Sequence, residues 1–258
     1  MIILIIILLI PFFVGATVFI FSQKTKKTGV LLFHRISKGF PKSLSQVGIK
    51  QFENFCKEIK KSGKDVCIAF DDGHQSVFDL AFPILKKYNF TAMVFVITGK
   101  EISDFYNTKN MMNAENIKEM SDNGFEIGSH TVGHLDLTLL DETDLRNELL
   151  NSKTYLEDIT RKTISALSFP YGSWNEKVVK IAEECGYKKF IVYRGHKFAD
   201  GNKIIPATAI YPFDNFDKIS GEMKGITKAL SDIVPHFAKG TPIFFWNRLY
   251  NGKNVKLM

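Results

Sequence analysis

The sequence is poor in cysteine and has no internal repeat or low-complexity tract. Its three cysteines, Cys56, Cys67 and Cys185, are too few and too scattered for a disulfide framework or a zinc knuckle, so they are predicted to be small core residues. Basic and aromatic residues do not form the stripes that bind nucleic acids, and no nucleic-acid partner is expected. The net charge of +7 could favour binding to an acidic membrane surface or polymer, and it could equally reflect a lysine-rich composition.

The chain does have a long apolar run at its start. Met1–Phe21 is almost wholly apolar, and about 20 such residues suffice to cross a bilayer as a helix. A cleaved signal peptide is less favoured, because no basic residue precedes the run and its small-residue site, Gly15 and Ala16, lies inside it. We therefore predict three segments: a transmembrane anchor or uncleaved signal at 1–23, a short basic linker at 24–28 and one folded domain at 29–258.

Two adjacent carboxylates follow a predicted buried strand. The apolar stretch Val66–Phe70 stops at Asp71 and Asp72, and Gly73 comes next. In α/β folds the carboxyl ends of parallel strands face a crevice in which active sites lie. Two adjacent ionised carboxylates repel each other unless a bound cation, or a proton on one of them, relieves the repulsion. This pair therefore predicts metal ligands elsewhere in the chain.

Two histidines follow another short apolar strand, Phe125–Gly128. His130 and His134 are four residues apart, a spacing that places two imidazoles on one side of a helical turn and within reach of one ion. With one carboxylate they make three ligands, which leaves positions open for water and substrate while the other carboxylate acts as a base. The alternative is that the acids cap a helix and the histidines lie on the surface. Both motifs stand at strand ends, which favours the metal site.

Apolar and amphipathic stretches alternate from Gly29 to Tyr193, which predicts strands and helices in turn. This alternation is typical of a parallel sheet, and a barrel is the most economical way to close it. A helix at Glu142–Ile159 is predicted to begin after Asp141 as its N-cap. The pattern weakens after Arg194, but Thr241–Trp246 is predicted to be a last core strand.

Three short motifs resemble those of the polysaccharide deacetylases of carbohydrate esterase family 4, the NodB-homology family. They are FDDG (Phe70–Gly73), SHTVGH (Ser129–His134) and FPYG (Phe169–Gly172), in the order that the family shows. The resemblance covers most of the chain after Gly29. It implies a distorted (β/α)7-type barrel of the α/β class and a catalytic domain that hydrolyses N-acetyl groups.

The resemblance also implies a role for each site residue. Asp72, His130 and His134 would hold one divalent ion, for which zinc suits the ligands, although cobalt, nickel, manganese or iron could occupy the same positions. Asp71 would take the proton of the attacking water, and the backbone N–H of Tyr171 would face the oxyanion. Substrate contacts are predicted at Phe169, Pro170, Tyr171 and Trp246.

Two departures from the family pattern concern the acid and the base. Family members carry a late histidine as the acid that protonates the departing amine, but no histidine lies between Thr241 and Met258. His34, near the end of the predicted first strand Gly29–Ile36, is the acid predicted in its place. Ser168 stands where many members have an arginine that orients the base.

Three functions are predicted as alternatives. The first is metal-dependent de-N-acetylation of N-acetylhexosamine units in an envelope polysaccharide or glycan precursor. The second is a membrane-tethered glycan-binding protein with a degenerate, inactive site, which the missing late histidine and Ser168 favour. The third is a non-haem iron oxygenase, which shares a two-histidine, one-carboxylate set but is disfavoured by the parallel-sheet pattern and the lack of an HxD pair.

The location of the domain is predicted from two signals that disagree. Lys24, Lys26 and Lys27 follow the apolar run, and the positive-inside tendency would place them and the domain in the cytoplasm. Most members of the resembled family work outside the cytoplasmic membrane. We expect a single-pass anchor with an extracytoplasmic domain, with the cytoplasmic side as the alternative.

Overall fold

The computed structural model describes residues 29–99, 110–192 and 203–216. The strands in these ranges are β1 (Gly29–Phe33), β2 (Arg35–Ser37), β3 (Gln46–Gly48), β4 (Val66–Phe70), β5 (Ala92–Val96), β6 (Glu126–Ser129), β7 (Ala166–Ser168), β8 (Lys189–Val192) and β9 (Ile204–Ala209). The α-helices are α1 (Ile49–Ser62), α2 (Phe82–Lys87), α3 (Ala114–Asp122), α4 (Glu142–Thr160) and α5 (Glu176–Glu184).

Seven of these strands form a closed parallel barrel. Their order is β1, β4, β5, β6, β7, β8 and β9, and every neighbouring pair runs parallel. Strands β2 and β3 form a separate parallel pair after β1. The predicted α/β barrel is confirmed. A closed parallel barrel also differs from the antiparallel jelly roll that the oxygenase alternative requires.

Strand β9 closes the barrel, and the sequence did not predict it. Its residues pair with β8 on one side and with β1 on the other, where Val30 lies opposite Ala207. Pro206 removes one backbone donor from β9, and half of its residues are only partly buried, so the apolar signal is weak. The strand predicted at Thr241–Trp246 lies outside the described residues.

The barrel interior is filled mainly by aliphatic side chains, with the ring of Phe95 among them. Its apolar cluster consists mainly of Val30, Leu32, Ala69, Met93, Phe95, Ala166, Ile191 and Ala207. Gly128 leaves the space that the Phe95 ring occupies, because a Cβ at Gly128 would lie 2.5 Å from two carbons of that ring. A second, larger cluster packs the helices against the outside of the barrel.

The helix ends follow local sequence signals. Asp141 caps α4 as predicted, since its side chain accepts a hydrogen bond from the backbone N–H of Asp144 at 2.9 Å. Pro83 lies in the first turn of α2, and the chain adopts a π-helical turn, Val77–Ala81, immediately before that helix.

Within the described ranges, no helix is both long enough and apolar enough to cross a bilayer. The predicted anchor at 1–23 and linker at 24–28 lie outside the described residues, so both stay predictions. Cys56 and Cys185 are buried as predicted, and Cys67 is partly buried.

Candidate metal and catalytic site

The carboxylate pair lies where β4 ends. Asp71 is 1% exposed, and its backbone N–H donates to the carbonyl oxygen of Phe33 on β1 at 2.9 Å, so the residue is fixed to the barrel rim. Asp72 takes a left-handed backbone conformation with φ of 73°, which ends the strand abruptly. Gly73 then passes so close to Val96 that a Cβ there would lie 3.0 Å from the valine Cγ1. This tight turn presents both carboxylates at the carboxyl end of the barrel.

The two histidines lie in a loop, which corrects the predicted helical turn. Residues 130–134 follow β6 without helical structure, and both Thr131 and His134 have positive φ values, 67° and 49°. The imidazole rings of His130 and His134 nevertheless lie side by side, with 4.8 Å between their centroids. The strained loop, rather than a helix, brings the rings together.

Asp72, His130 and His134 form a donor set that fits one metal ion. The distances from Asp72 Oδ1 to the Nε2 atoms of His130 and His134 are 3.8 and 4.0 Å. Two ligands that each lie about 2.0–2.2 Å from zinc can be no more than about 4.4 Å apart, so both distances are compatible with a shared ion. All three donor atoms lie within 4.8 Å of one another. Imidazole nitrogens with one carboxylate are a donor set that zinc and neighbouring transition metals accept.

A backbone carbonyl orients the ring of His130. Its Nδ1 lies 2.8 Å from the carbonyl oxygen of Ser168 at the end of β7. A carbonyl can only accept, so Nδ1 carries the hydrogen and Nε2 presents its lone pair toward Asp72. Burial, and then the neighbouring His130, lowers the pKa of His134 to about 3, so the ring of His134 is neutral and able to act as a ligand.

The two carboxylates differ in their surroundings. Burial raises the pKa of Asp71, although its Oδ2 accepts a hydrogen bond from Ser168 Oγ at 3.0 Å. Its other oxygen, Oδ1, is buried and has no hydrogen-bond donor in the described part of the chain, which leaves one acceptor for a water or a substrate. Burial also acts to raise the pKa of Asp72, but the charges of the surrounding histidines and Arg35 outweigh it and leave that pKa below its ordinary value. Asp72 is therefore the carboxylate that stays ionised most readily.

His34 and Tyr171 both lie beside this cluster. His34 follows β1, is partly buried, and is close enough to affect the pKa values of Asp71, Asp72 and His134 by its charge. The Tyr171 ring contacts His134 edge-on, with 4.7 Å between the ring centroids. Its backbone is left-handed, with φ of 58°, inside the short turn Pro170–Gly172 that follows β7.

Two of the predicted substrate contacts, Phe169 and Pro170, are buried. Phe169 is fully buried and stacks on Phe190 at 5.6 Å, so its side chain supports the turn from inside the core. Pro170 is buried as well. Of the predicted contact residues that the structure describes, Tyr171 alone is partly exposed beside the cluster. Trp246 lies outside the described residues.

Glu148 was missed in the sequence, although it contacts the loop of the two histidines. Its Oε2 accepts hydrogen bonds from the backbone N–H groups of Val132 at 3.0 Å and Gly133 at 2.7 Å. Burial raises the pKa of this carboxyl group, which the hydrogen bonds from the loop partly offset. The signal in the sequence was a glutamate three residues after Leu145 and directly before Leu149, beside the buried stripe of α4.

The chain is similar to known proteins in sequence and in fold. The sequence profile described as "Polysaccharide deacetylase" matches residues 58–190. YxkH of Bacillus subtilis (strain 168), which is named as a candidate polysaccharide deacetylase, is 32% identical over 188 residues, 65% of this chain and 64% of its own length. The poly-beta-1,6-N-acetyl-D-glucosamine N-deacetylase of Staphylococcus aureus (strain MSSA476) is 29% identical over 149 residues, 54% of this chain and 51% of its own length. This chain thus spans between half and two thirds of these two relatives.

Solved structures share the fold. The deacetylase PplD of Streptococcus pyogenes, in complex with acetate, superposes with a TM-score of 0.68 at 24% identity, over 77% of this chain and 99% of that one. IcaB from Ammonifex degensii superposes with a TM-score of 0.61 at 21% identity, over 74% and 93% of the two chains. At these identities the likeness establishes the barrel fold alone.

Proposed function

Because this chain belongs to the polysaccharide deacetylase family, we propose that it removes N-acetyl groups from N-acetylhexosamine units of an envelope polysaccharide or glycan precursor. The observation that carries the proposal is the convergence of two carboxylates and two imidazoles at the carboxyl end of one parallel barrel. The staphylococcal relative's name makes poly-β-1,6-N-acetyl-D-glucosamine the first substrate to test.

Asp72, His130 and His134 would hold the divalent ion. When bound, such an ion supplies a Lewis acid that polarises the amide carbonyl and lowers the pKa of a water. Asp71 accepts the proton of the attacking water, and its Oδ1, which has no hydrogen-bond donor among the residues that the structure describes, is the atom available for it. Ser168 holds the other oxygen of Asp71, which fixes the direction in which the base points.

His34 and Tyr171 complete the proposed reaction. Expulsion of the amine requires a proton on its nitrogen, and His34 is a titratable group beside the cluster that is neither a proposed ligand nor the base. The turn at Tyr171 would direct its backbone N–H toward the oxyanion, in accord with its left-handed conformation next to His134. The tyrosine ring would contact the sugar.

We further propose that residues 1–23 anchor the domain to a membrane, with residues 24–28 as linker and the domain on the extracytoplasmic side. The apolar composition of Met1–Phe21 supports the anchor. Lysine-specific proteolysis of intact cells tests the side, because the lysine-rich domain is cut from outside if it is extracytoplasmic. Protection in intact cells with cleavage after lysis would place the domain in the cytoplasm.

The hydrolysis is tested by acetate release from N-acetylglucosamine oligomers. The full chain in detergent micelles is assayed after chelation, and again after addition of zinc or cobalt. We expect release that the chelator abolishes and that Asp71→Asn abolishes while bound metal is kept. Asp122→Asn is the matched control, because Asp122 makes only a surface ion pair with Lys118 among the contacts of the described chain. Metal binding without release from any glycan would favour the glycan-binding alternative.

A further inference from the structure

The loop that carries both histidines adopts a backbone that is unfavourable by itself. Thr131 has φ of 67°, which is rare for a β-branched residue because its side chain crowds the backbone in the left-handed region. His134 has φ of 49° three residues later. Such conformations persist only where the surrounding structure holds them. The contacts that hold this loop therefore decide where the two imidazoles lie.

Three of these contacts involve the carboxylate of Glu148, and two others join the backbone N–H groups of Thr98 and Gly99 to the loop carbonyls of Thr131 and Val132. Glu148 Oε2 accepts from the N–H groups of Val132 and Gly133, at 3.0 and 2.7 Å, and the Thr131 side chain also hydrogen-bonds to Glu148. Thr131 Oγ1 in turn accepts from the backbone N–H of His134 at 3.0 Å. A continuous chain of hydrogen bonds thus runs from Glu148 to the backbone of His134.

The approach of the carboxylate depends on a glycine. A Cβ at Gly133 would lie 3.0 Å from Glu148 Oε1, which is tighter than nine in ten observed Cβ contacts. The same helix also contacts the start of the loop one turn later, where Ser152 Oγ and Ser129 Oγ lie 2.8 Å apart. Ser129 Oγ accepts from the N–H of Thr131 at 3.1 Å. Helix α4 therefore holds the loop at two points.

We propose that Glu148 is a positioning residue for the metal site, which sets the separation of the His130 and His134 rings through the loop backbone. The inference rests on the metal site of the proposed function. Glu148 is not among the proposed metal ligands. Its effect is to keep the strained loop in the one conformation that presents both Nε2 atoms to Asp72.

The test compares zinc affinities of full-chain variants by competition with a chromophoric chelator. Glu148→Ala is expected to weaken zinc binding by about 10- to 100-fold, the usual effect of losing a group that orients metal ligands. Glu148→Gln keeps an oxygen that accepts from both N–H groups, so it is expected to restore affinity to within a few-fold of the unaltered protein. This rescue separates the role of the acceptor from that of the charge.

Glu157→Ala is the matched control on the same helix. Glu157 also accepts from a backbone N–H, that of Ile164 at 2.9 Å, but the segment that it holds contains no site residue. We expect this variant to lower the melting temperature without changing zinc affinity. An unchanged affinity in folded Glu148→Ala would overturn the proposal. An equal loss of zinc affinity in Glu157→Ala would also overturn it, because zinc binding would then depend on the general stability of the protein.

Glu148→Asp covers the case in which the alanine variant does not fold. It keeps the charge but is one methylene shorter, so it cannot reach both N–H groups, and it is expected to bind zinc more weakly than Glu148→Gln. The reverse order would overturn the proposal. Failure of the unaltered chain to bind any divalent ion would overturn both the metal site and the role of Glu148. Binding without acetate release would overturn the hydrolysis alone.

Discussion

Ser168→Ala should slow acetate release without weakening metal binding. The hydroxyl group of Ser168 donates to Asp71 Oδ2 at 3.0 Å, and both residues are about 1% exposed, so no bulk water replaces the bond. A buried hydrogen bond to a charged group contributes about 1.5–3 kcal/mol. If the bond acts on the ionised base in the transition state, its loss lowers kcat/KM by roughly 10- to 150-fold. The other oxygen of Asp71 has no donor within the described chain to compensate.

Zinc affinity distinguishes this effect from general damage to the site. His130 Nδ1 donates to the backbone carbonyl of Ser168, a group that Ser168→Ala leaves in place, so affinity is expected to stay within about twofold. Ser121→Ala is the matched control, since Ser121 is also 1% exposed but lies at the end of α3, away from the site. An unchanged kcat/KM in Ser168→Ala, or a loss of zinc in step with activity, would refute the reasoning.

Two further predictions concern the acid and a core thiol. His34→Gln is expected to lower kcat by about 10²- to 10⁴-fold with zinc affinity unchanged, and a matching loss of zinc would show that His34 is a ligand instead. Burial raises the pKa of Cys56 from 9.0 to about 12, so the unfolded chain loses that proton first and the free energy of unfolding should fall as pH rises above about 9, by up to about 1.4 kcal/mol per pH unit. Denaturant titrations should show a shallower fall in Cys56→Ala, and an identical slope would contradict this assignment.

The barrel was predictable because its strands are locally distinct. Runs such as Val66–Phe70 and Ala92–Val96 are apolar, rich in branched or aromatic residues and bounded by polar turns. Strand β9 lacks this apolar signal, because Pro206 interrupts it. Its register is visible only in its pairing with β8 and β1. Its pairing with β1 joins segments far apart in sequence, and such long-range contacts cannot be predicted from the local sequence pattern.

The site residues were predictable as a set, but their geometry was not. A spacing of four is compatible with a helical turn, and the loop that replaced it depends on contacts from α4 that the spacing of His130 and His134 does not encode. Ser168 was interpreted as a departure from a family pattern. Its hydroxyl group contacts a base 97 residues away in sequence, which only the folded barrel brings within reach.

Closure of the barrel by β9 has a consequence for synthesis of the protein. A growing chain already contains Asp71, Asp72, His130 and His134 well before Ile204 is added. Until β9 joins, strands β1 and β8 each expose an edge of unpaired backbone groups, which is a surface for wrong pairing with other chains. Asp71 is fixed to β1, one of these open edges. All three proposed metal ligands are therefore synthesised before the barrel that positions them can close.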